Sequence, residues 1–314
     1  MNADDGQQLG DRLDLPLTTG ARSRAGGYGA EMRRSAFLIG PALLLAAGCA
    51  DSATSSQPTA PVVDSSVAST AAATSTTPGE VAQLGAELVG RWAHFDVVAY
   101  EDGVLKTLII SYGFNDFTEV DGRIVDQASF CFAEQRTDQP IETSLSDAAT
   151  QAIKPISTPV EIALVDGELV VSRAATPTPV AIRLDDPANE SLPTDPTDPR
   201  IVDDDGDGKP GITVTIRVTD SLVGELYIAR REIFAWRAVL VDPDLLEGTV
   251  DDDSEQLIIG ASDPMFEGAG SGWVQHPDPA KSPIILRRVD ESWDCARLEA
   301  ERATLFPPTP DVDW

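Results

Sequence analysis

The sequence predicts a mainly β fold, an antiparallel barrel or sandwich with short helices near residues 80–89 and 144–153 and a C-terminal helix. Three observations predict it. From residue 91 onward, runs rich in β-branched and aromatic residues alternate with turn residues at short intervals. Asp-Gly recurs between such runs at 102–103, 121–122 and 166–167, and both residues of that dipeptide tolerate the positive φ of a tight hairpin. About ten strand candidates are followed by a single helical stretch at the C-terminus.

Taken in order, 80–89 is a helical candidate stopped by Gly90. The runs 91–100 and 104–112 flank the first Asp-Gly, 116–120 and 123–133 the second, and 160–165 and 168–173 the third. Together they describe an antiparallel meander. A short helix at 144–153 has Ser144 or Ser146 as N-cap and Pro155 beyond its end. A strand candidate at 180–184 leads into a Pro- and Asp-rich loop at 185–199. Residues 212–218 alternate Ile and Val with Thr and Arg, and 222–241 is long enough for two strands or one bent one. Runs at 256–259 and 284–289 complete the set. Ser292 is the expected cap of the last helix, which Pro307 ends, with Cys295, Leu298 and Leu305 on one face and Arg302 interrupting it.

The net charge of -29 argues against nucleic acid, because phosphate binding needs a basic surface. Five acids and five bases cancel within residues 1–48, so the whole charge belongs to the chain from Cys49 onward. Only four lysines occur, Lys106, Lys154, Lys209 and Lys281. An acidic, lysine-poor surface fits ordinary solubility charge or a salty habitat where counter-ions screen the repulsion.

Composition divides the chain into an N-terminal extension and signal peptide at 1–48, a tether at 49–79 and one β-rich domain at 80–314. Met32-Arg33-Arg34-Ser35 precedes a twelve-residue apolar run at 36–47 that contains Gly40 and Pro41. Spanning a bilayer takes ~20 apolar residues, so the run fits a signal-peptide core instead. It leads into Leu45-Ala46-Ala47-Gly48-Cys49, which resembles a bacterial lipobox, with Ala46 where the family usually has Leu. The resemblance implies export, lipidation of Cys49 and anchoring to the cell membrane or outer membrane. Met32 is the expected start, with residues 1–31 a mis-called extension. From Ala50 to about Pro78 the chain is almost entirely Ser, Thr, Ala, Pro and Val, the composition of a flexible tether. With Cys49 lipidated, Cys131 and Cys295 remain, and an exported protein can pair them as a disulfide.

One stretch has a specific chemical pattern. Asp203, Asp205 and Asp207, followed by Gly208, have the spacing that turns alternate carboxylates into one concavity. Ca²⁺ takes six to eight oxygens at roughly 2.3–2.6 Å, and Lys209 would add a backbone carbonyl. The spacing resembles the calcium loops of EF-hands, dockerins and thrombospondin type 3 repeats, which implies a bound calcium ion. The twelfth position is Val214 where an EF-hand has Glu, and the ninth is Gly211, so further ligands must come from Asp195, Asp198, Asp251, Asp252, Asp253 or water. A strand candidate rather than a helix follows, which makes the loop a structural clip and not a sensor.

Elsewhere no nucleophile elbow, zinc motif or phosphate loop occurs, and no catalytic residue is assigned. His94 lies in a strand candidate beside Trp92, and His276 lies in a Pro-rich loop. Trp236, Trp273 and Trp293 are candidates for the core or for a ligand-binding face. Gly90-Arg91-Trp92 at the start of the first strand resembles the Gly-x-Trp entrance of lipocalin-like barrels, as do the late Arg287-Arg288 pair and the C-terminal helix. That resemblance implies a barrel with a small-molecule cavity above Trp92. The first expectation for function is a lipid-anchored envelope protein with a calcium-stabilised β domain in a non-enzymatic binding or structural role. A lipocalin-like binder is the alternative, and a hydrolase using paired carboxylates is third.

Overall fold

The computed structural model describes residues 78–101, 105–268 and 273–314. The signal-like segment, Cys49, the tether up to residue 77 and Asp102-Gly103 lie outside the described residues, and residues 78–79, expected in the tether, begin a helix. Helix α1 (Pro78–Leu88) is followed by β1 (Gly90–Glu101), β2 (Lys106–Val120), β3 (Arg123–Thr137) and β4 (Glu142–Leu145). After the short helix α2 (Asp147–Gln151) come β5 (Thr158–Val165), β6 (Glu168–Arg173), β7 (Thr178–Val180), β8 (Ile212–Thr219) and β9 (Leu222–Glu232). The chain continues with β10 (Phe234–Asp242), β11 (Leu245–Asp252), β12 (Glu255–Ala261), β13 (Val274–Gln275), β14 (Pro283–Val289) and α3 (Cys295–Leu305).

Eight strands, β1, β2, β3, β5, β6, β10, β11 and β14, pair antiparallel in that order, and both β2 and β14 pair with β1. The sheet therefore closes on itself as an up-and-down barrel, which removes its free edges. Strands β12, β9, β8 and β4 form a second antiparallel sheet, with β7 added to β9. The expected turns at 121–122 and 166–167 are tight hairpins, with Asp121 and Asp166 at φ 51° and 54° followed by Gly122 and Gly167 at 73° and 89°. The run 222–241 makes two strands, β9 and β10. They belong to different sheets, with Ile233 between them.

Alternation along β1 sets the layers. Trp92, Val98 and Tyr100 join the barrel interior, packed with Trp236, Leu246 and Leu286. The intervening Ala93, Phe95, Val97 and Ala99 face outward and are covered by Trp293, Leu298 and Phe306 from α3 and its flanks. Burial of each such large apolar side chain stabilises the fold by roughly 1.5–3 kcal/mol. The second sheet has its own core, in which Ile212, Ile216, Leu226 and Ile228 pack with Ala149 of α2 and Phe266. The Cys131–Cys295 disulfide forms, with a Cα–Cα distance of 5.3 Å, and ties α3 to β3. Cys131 sits at a register shift, since Tyr112 pairs with Phe132 and Gly113 with Phe130. That bulge lets both Cys131 and Phe132 face the helix.

Several element boundaries differ from expectation. Residues 116–120 extend β2 rather than forming a separate strand. Only 178–180 of the stretch around 180–184 is a strand, with an isolated bridge from Ile182 to Ile201. Asp294, not Ser292, caps α3: its carboxylate accepts the Arg297 N–H at 2.8 Å, while the Ser292 hydroxyl is bonded to Asp290. Ser146, one of the two candidates, caps α2. Asp251 and Asp252 lie in strand β11, which pairs with both β10 and β14.

Candidate functional site

At one end of the barrel, Trp92 is fully buried and its Nε1–H donates to Leu88 O at 2.9 Å. Arg288 of β14, paired in register with Trp92, stacks its guanidinium 4.3 Å above the indole and donates to Val89 O at 3.0 Å. Gly90 has φ 131°, and a Cβ there would lie 3.2 Å from Arg288 Nη1. Gly90, Trp92 and Arg288 thus form one unit, held by the cation–π contact and joined to α1 by hydrogen bonds to the Glu87 and Leu88 carbonyls. Arg287 donates instead to Leu305 O of α3 at 3.0 Å.

Above this floor the inward positions of β1 turn polar. His94 and Asp96 are each 2% exposed and line a cavity of about 100 Å³ between the barrel and the second sheet. Most of its wall is apolar, including Val98, Ile109, Phe130, Ile228, Phe234 and Trp236. A buried polar chain, an ion pair followed by hydrogen bonds, leads to it. Arg173 Nε lies 3.0 Å from Asp126 Oδ2. Both Asp126 oxygens accept from Asn115 Nδ2 at 2.9 Å. Asn115 must then offer Oδ1 to His94 Nδ1, 2.8 Å away, so the His94 proton sits on Nδ1 and Nε2 carries a lone pair. Gly113, opposite His94, makes room for the ring: a Cβ there would meet Ser129 O at 2.0 Å and His94 Cε1 at 2.7 Å.

The protonation states follow from burial. Desolvation lowers the His94 pKa to about 4, with the Asn115 hydrogen bond opposing it, so the imidazole is neutral at pH 7. Desolvation pushes the Asp96 carboxyl well above its ordinary range, and repulsion from Asp252 and Glu232 adds to this. Desolvation also raises Asp126, to about 6, against the pull of Arg173 and Asn115. His94 Nε2 and Asp96 Oδ2 are 3.6 Å apart, too far for a hydrogen bond, and among the described residues neither has a partner. Beside them, Arg230 Nε lies 2.8 Å from Glu232, and the Ser254 hydroxyl lies 3.0 Å from both the Glu232 and the Asp252 carboxylates, with one proton to give to either.

The aspartate loop lies apart from this cavity, between Val202 and β8. Carboxylate oxygens of Asp203, Asp205 and Asp207 all lie within 4.8 Å of one another. Asp203 accepts from the Gly206 and Gly208 N–H groups at 2.7 and 2.9 Å, and both glycines have positive φ. Asp207 accepts from Thr213 Oγ1 at 2.6 Å, which lowers its pKa. Asp205 Oδ2 accepts from Thr213 N at 2.9 Å, whereas its buried Oδ1 has no partner among the described residues. Burial raises the Asp205 pKa, with Asp207 and Asp203 contributing. An oxygen-only donor set with one orphaned, desolvated oxygen suits a hard cation. Lys209 places its ammonium 3.3 Å from Asp207 and 2.8 Å from Glu225, supplying one positive charge of its own.

Three of the candidate additional ligands are engaged elsewhere. Asp195 accepts from Thr197, and Asp198 from Arg200. Asp252 faces the barrel cavity. Trp236 lines that cavity, Trp293 is buried under α3, and Trp273 packs on Tyr100. His276 meets Trp314 edge-on. Sequence reasoning passed over the Asp96, Asn115, Asp126 and Arg173 chain and placed His94 only in a strand beside Trp92. The available signal was two polar residues at alternate positions of an otherwise apolar strand.

Comparison of the chain with family models, curated proteins and solved structures finds no match. Among the described residues no helix is long and apolar enough to cross a membrane.

Proposed function

We propose that this chain is an exported, lipid-anchored protein whose β-barrel binds a small molecule, with a calcium clip that stabilises the same domain. The observation that supports binding is the cavity at the barrel's junction with the second sheet. It is lined by two buried acceptor atoms without a hydrogen-bond partner among the described residues, on His94 and Asp96, and by the Nε atoms of Arg173 and Arg230, which are held by ion pairs alone. A preformed apolar cavity with a few convergent polar groups is the usual form of a ligand site. The unit made by Gly90, Trp92 and Arg288, with α3 outside the barrel, supports the lipocalin-like reading over a purely structural role.

The test is a ligand-observed NMR screen of small fragments against the native chain and against Ala128→Phe. Ala128 lines the cavity and is buried, so a phenyl ring there occupies the space. Binders that the variant no longer takes up are expected. A folded Ala128→Phe chain that retains every binder, or a native chain that takes none, would overturn the reading.

A further inference from the structure

We propose that the barrel cavity takes a small organic cation, a protonated primary amine, with Asp96 Oδ2 and His94 Nε2 accepting its N–H donors. This rests on the reading of the cavity as a binding site and names the chemistry of its ligand.

Two acceptors define the recognition. His94 Nε2 presents a lone pair because Nδ1–H is committed to Asn115. Asp96 Oδ2 sits 3.6 Å from it, and neither atom has a partner among the described residues. A group that carries several N–H donors satisfies both at once, whereas a carboxylate or ether satisfies neither lone pair. Leaving such atoms unmet in a dry site is costly, so the matching donor gains what a bare hydrocarbon cannot.

Charge around the cavity points the same way. The ionisable groups facing it are His94 and Tyr100 on β1, Arg173 on β6, Arg230 and Glu232 on β9, and Asp252 on β11, together with Asp96 itself. Arg173 is matched by Asp126 and Arg230 by Glu232, which leaves Asp96 and Asp252 in excess. An added cation lets Asp96 ionise, so binding the ammonium form releases the carboxyl proton to solvent. Phe130, Phe234 and Trp236 in the same wall offer ring faces to a positive charge. The volume of about 100 Å³ is below the ~150 Å³ that accommodates benzene, so the ligand, or the part of it held here, has about five non-hydrogen atoms.

The experiment titrates the full chain by NMR with isobutylammonium, isobutanol and isobutyrate. These share a carbon skeleton and differ in head group. The amine is expected to bind at least tenfold more tightly than the alcohol and to tighten as pH rises, because a proton is released, while the alcohol does not respond. A ligand this small binds no tighter than micromolar. Asp96→Asn is expected to remove the amine preference and leave the alcohol's affinity within a few-fold. Should that variant fail to fold, the amine-to-alcohol ratio and its pH trend in the native chain decide alone. Equal affinity for amine and alcohol, or preference for isobutyrate, overturns the cation and leaves small-molecule binding standing. No binding by any of the three overturns it as well, and a fragment screen that still yields binders lost in Ala128→Phe separates that outcome from failure of the binding reading.

Discussion

At the scale of single residues, the barrel interior depends on a histidine that folds uncharged. In the unfolded chain the His94 imidazole titrates near 6.5, and in the folded protein near 4. Between those values the unfolded chain binds more protons, so this residue's contribution to stability is lost as pH falls from 6.5 through 4. On going from pH 7 to pH 4.5 the loss is about 2 kcal/mol. Asp126 acts in the opposite sense. Its folded pKa is about 6 against an ordinary 3.8, so the folded state holds a proton that the unfolded chain releases, and acidification over that window is stabilising. The two largely offset one another in the native chain. His94→Gln keeps a donor for Asn115 and does not titrate, so it uncovers the Asp126 effect. Urea denaturation at pH 7 and pH 4.5 should show the variant gaining about 2 kcal/mol relative to the native chain on acidification. A difference between the two proteins that does not change with pH would contradict a buried neutral imidazole. Gly113 belongs to the same unit, because a Cβ there would collide with both Ser129 O and the His94 ring.

At the scale of elements, local chemistry announced itself in the sequence and long-range pairing did not. The Asp-Gly turns at 121–122 and 166–167 were legible because positive φ is written into that dipeptide. The α2 cap at Ser146 and the Cys131–Cys295 bridge were legible for similar reasons. By contrast β11 was hidden, since its acidic end reads as loop although Val250 and Leu246 face the core. Closure of the barrel was hidden too, because β1 and β14 stand at opposite ends of the domain and no short pattern specifies their pairing. The cavity inherits this difficulty: Asp96, Arg173, Arg230 and Asp252 come from four separate strands. The aspartate loop is the local extreme, and its three carboxylates converge as their spacing suggests. With an affinity in the extracellular ~10⁻⁴–10⁻³ M class, millimolar calcium adds on the order of 1 kcal/mol, or about 3 °C of melting temperature for a domain of this size. Asp205→Ala combined with Asp207→Ala should abolish that rise. A melting curve indifferent to calcium in the native chain would count against the clip, leaving the loop's carboxylates to Lys209 and Arg183.

At the scale of the whole molecule, the disulfide and the charge distribution bear on where the protein resides. A bridge with a sequence separation of 164 residues stabilises the fold by about 5 kcal/mol in the chain-entropy model, and such bonds persist in oxidising compartments. That agrees with the proposed export through the segment before Cys49. The chain beyond that cysteine carries the full -29 charge, so an anionic membrane surface repels it and cannot hold it electrostatically. Membrane retention, on this account, depends on acyl chains alone. A high-salt wash should therefore leave the native protein in the membrane fraction, whereas Cys49→Ser should appear in the soluble fraction. In that variant the Cys131–Cys295 bridge should still form, seen as faster mobility without reductant, because export precedes anchoring. Salt-sensitive binding of the native chain, or membrane retention of Cys49→Ser, would mean that something other than a lipid on Cys49 holds this acidic barrel at the surface.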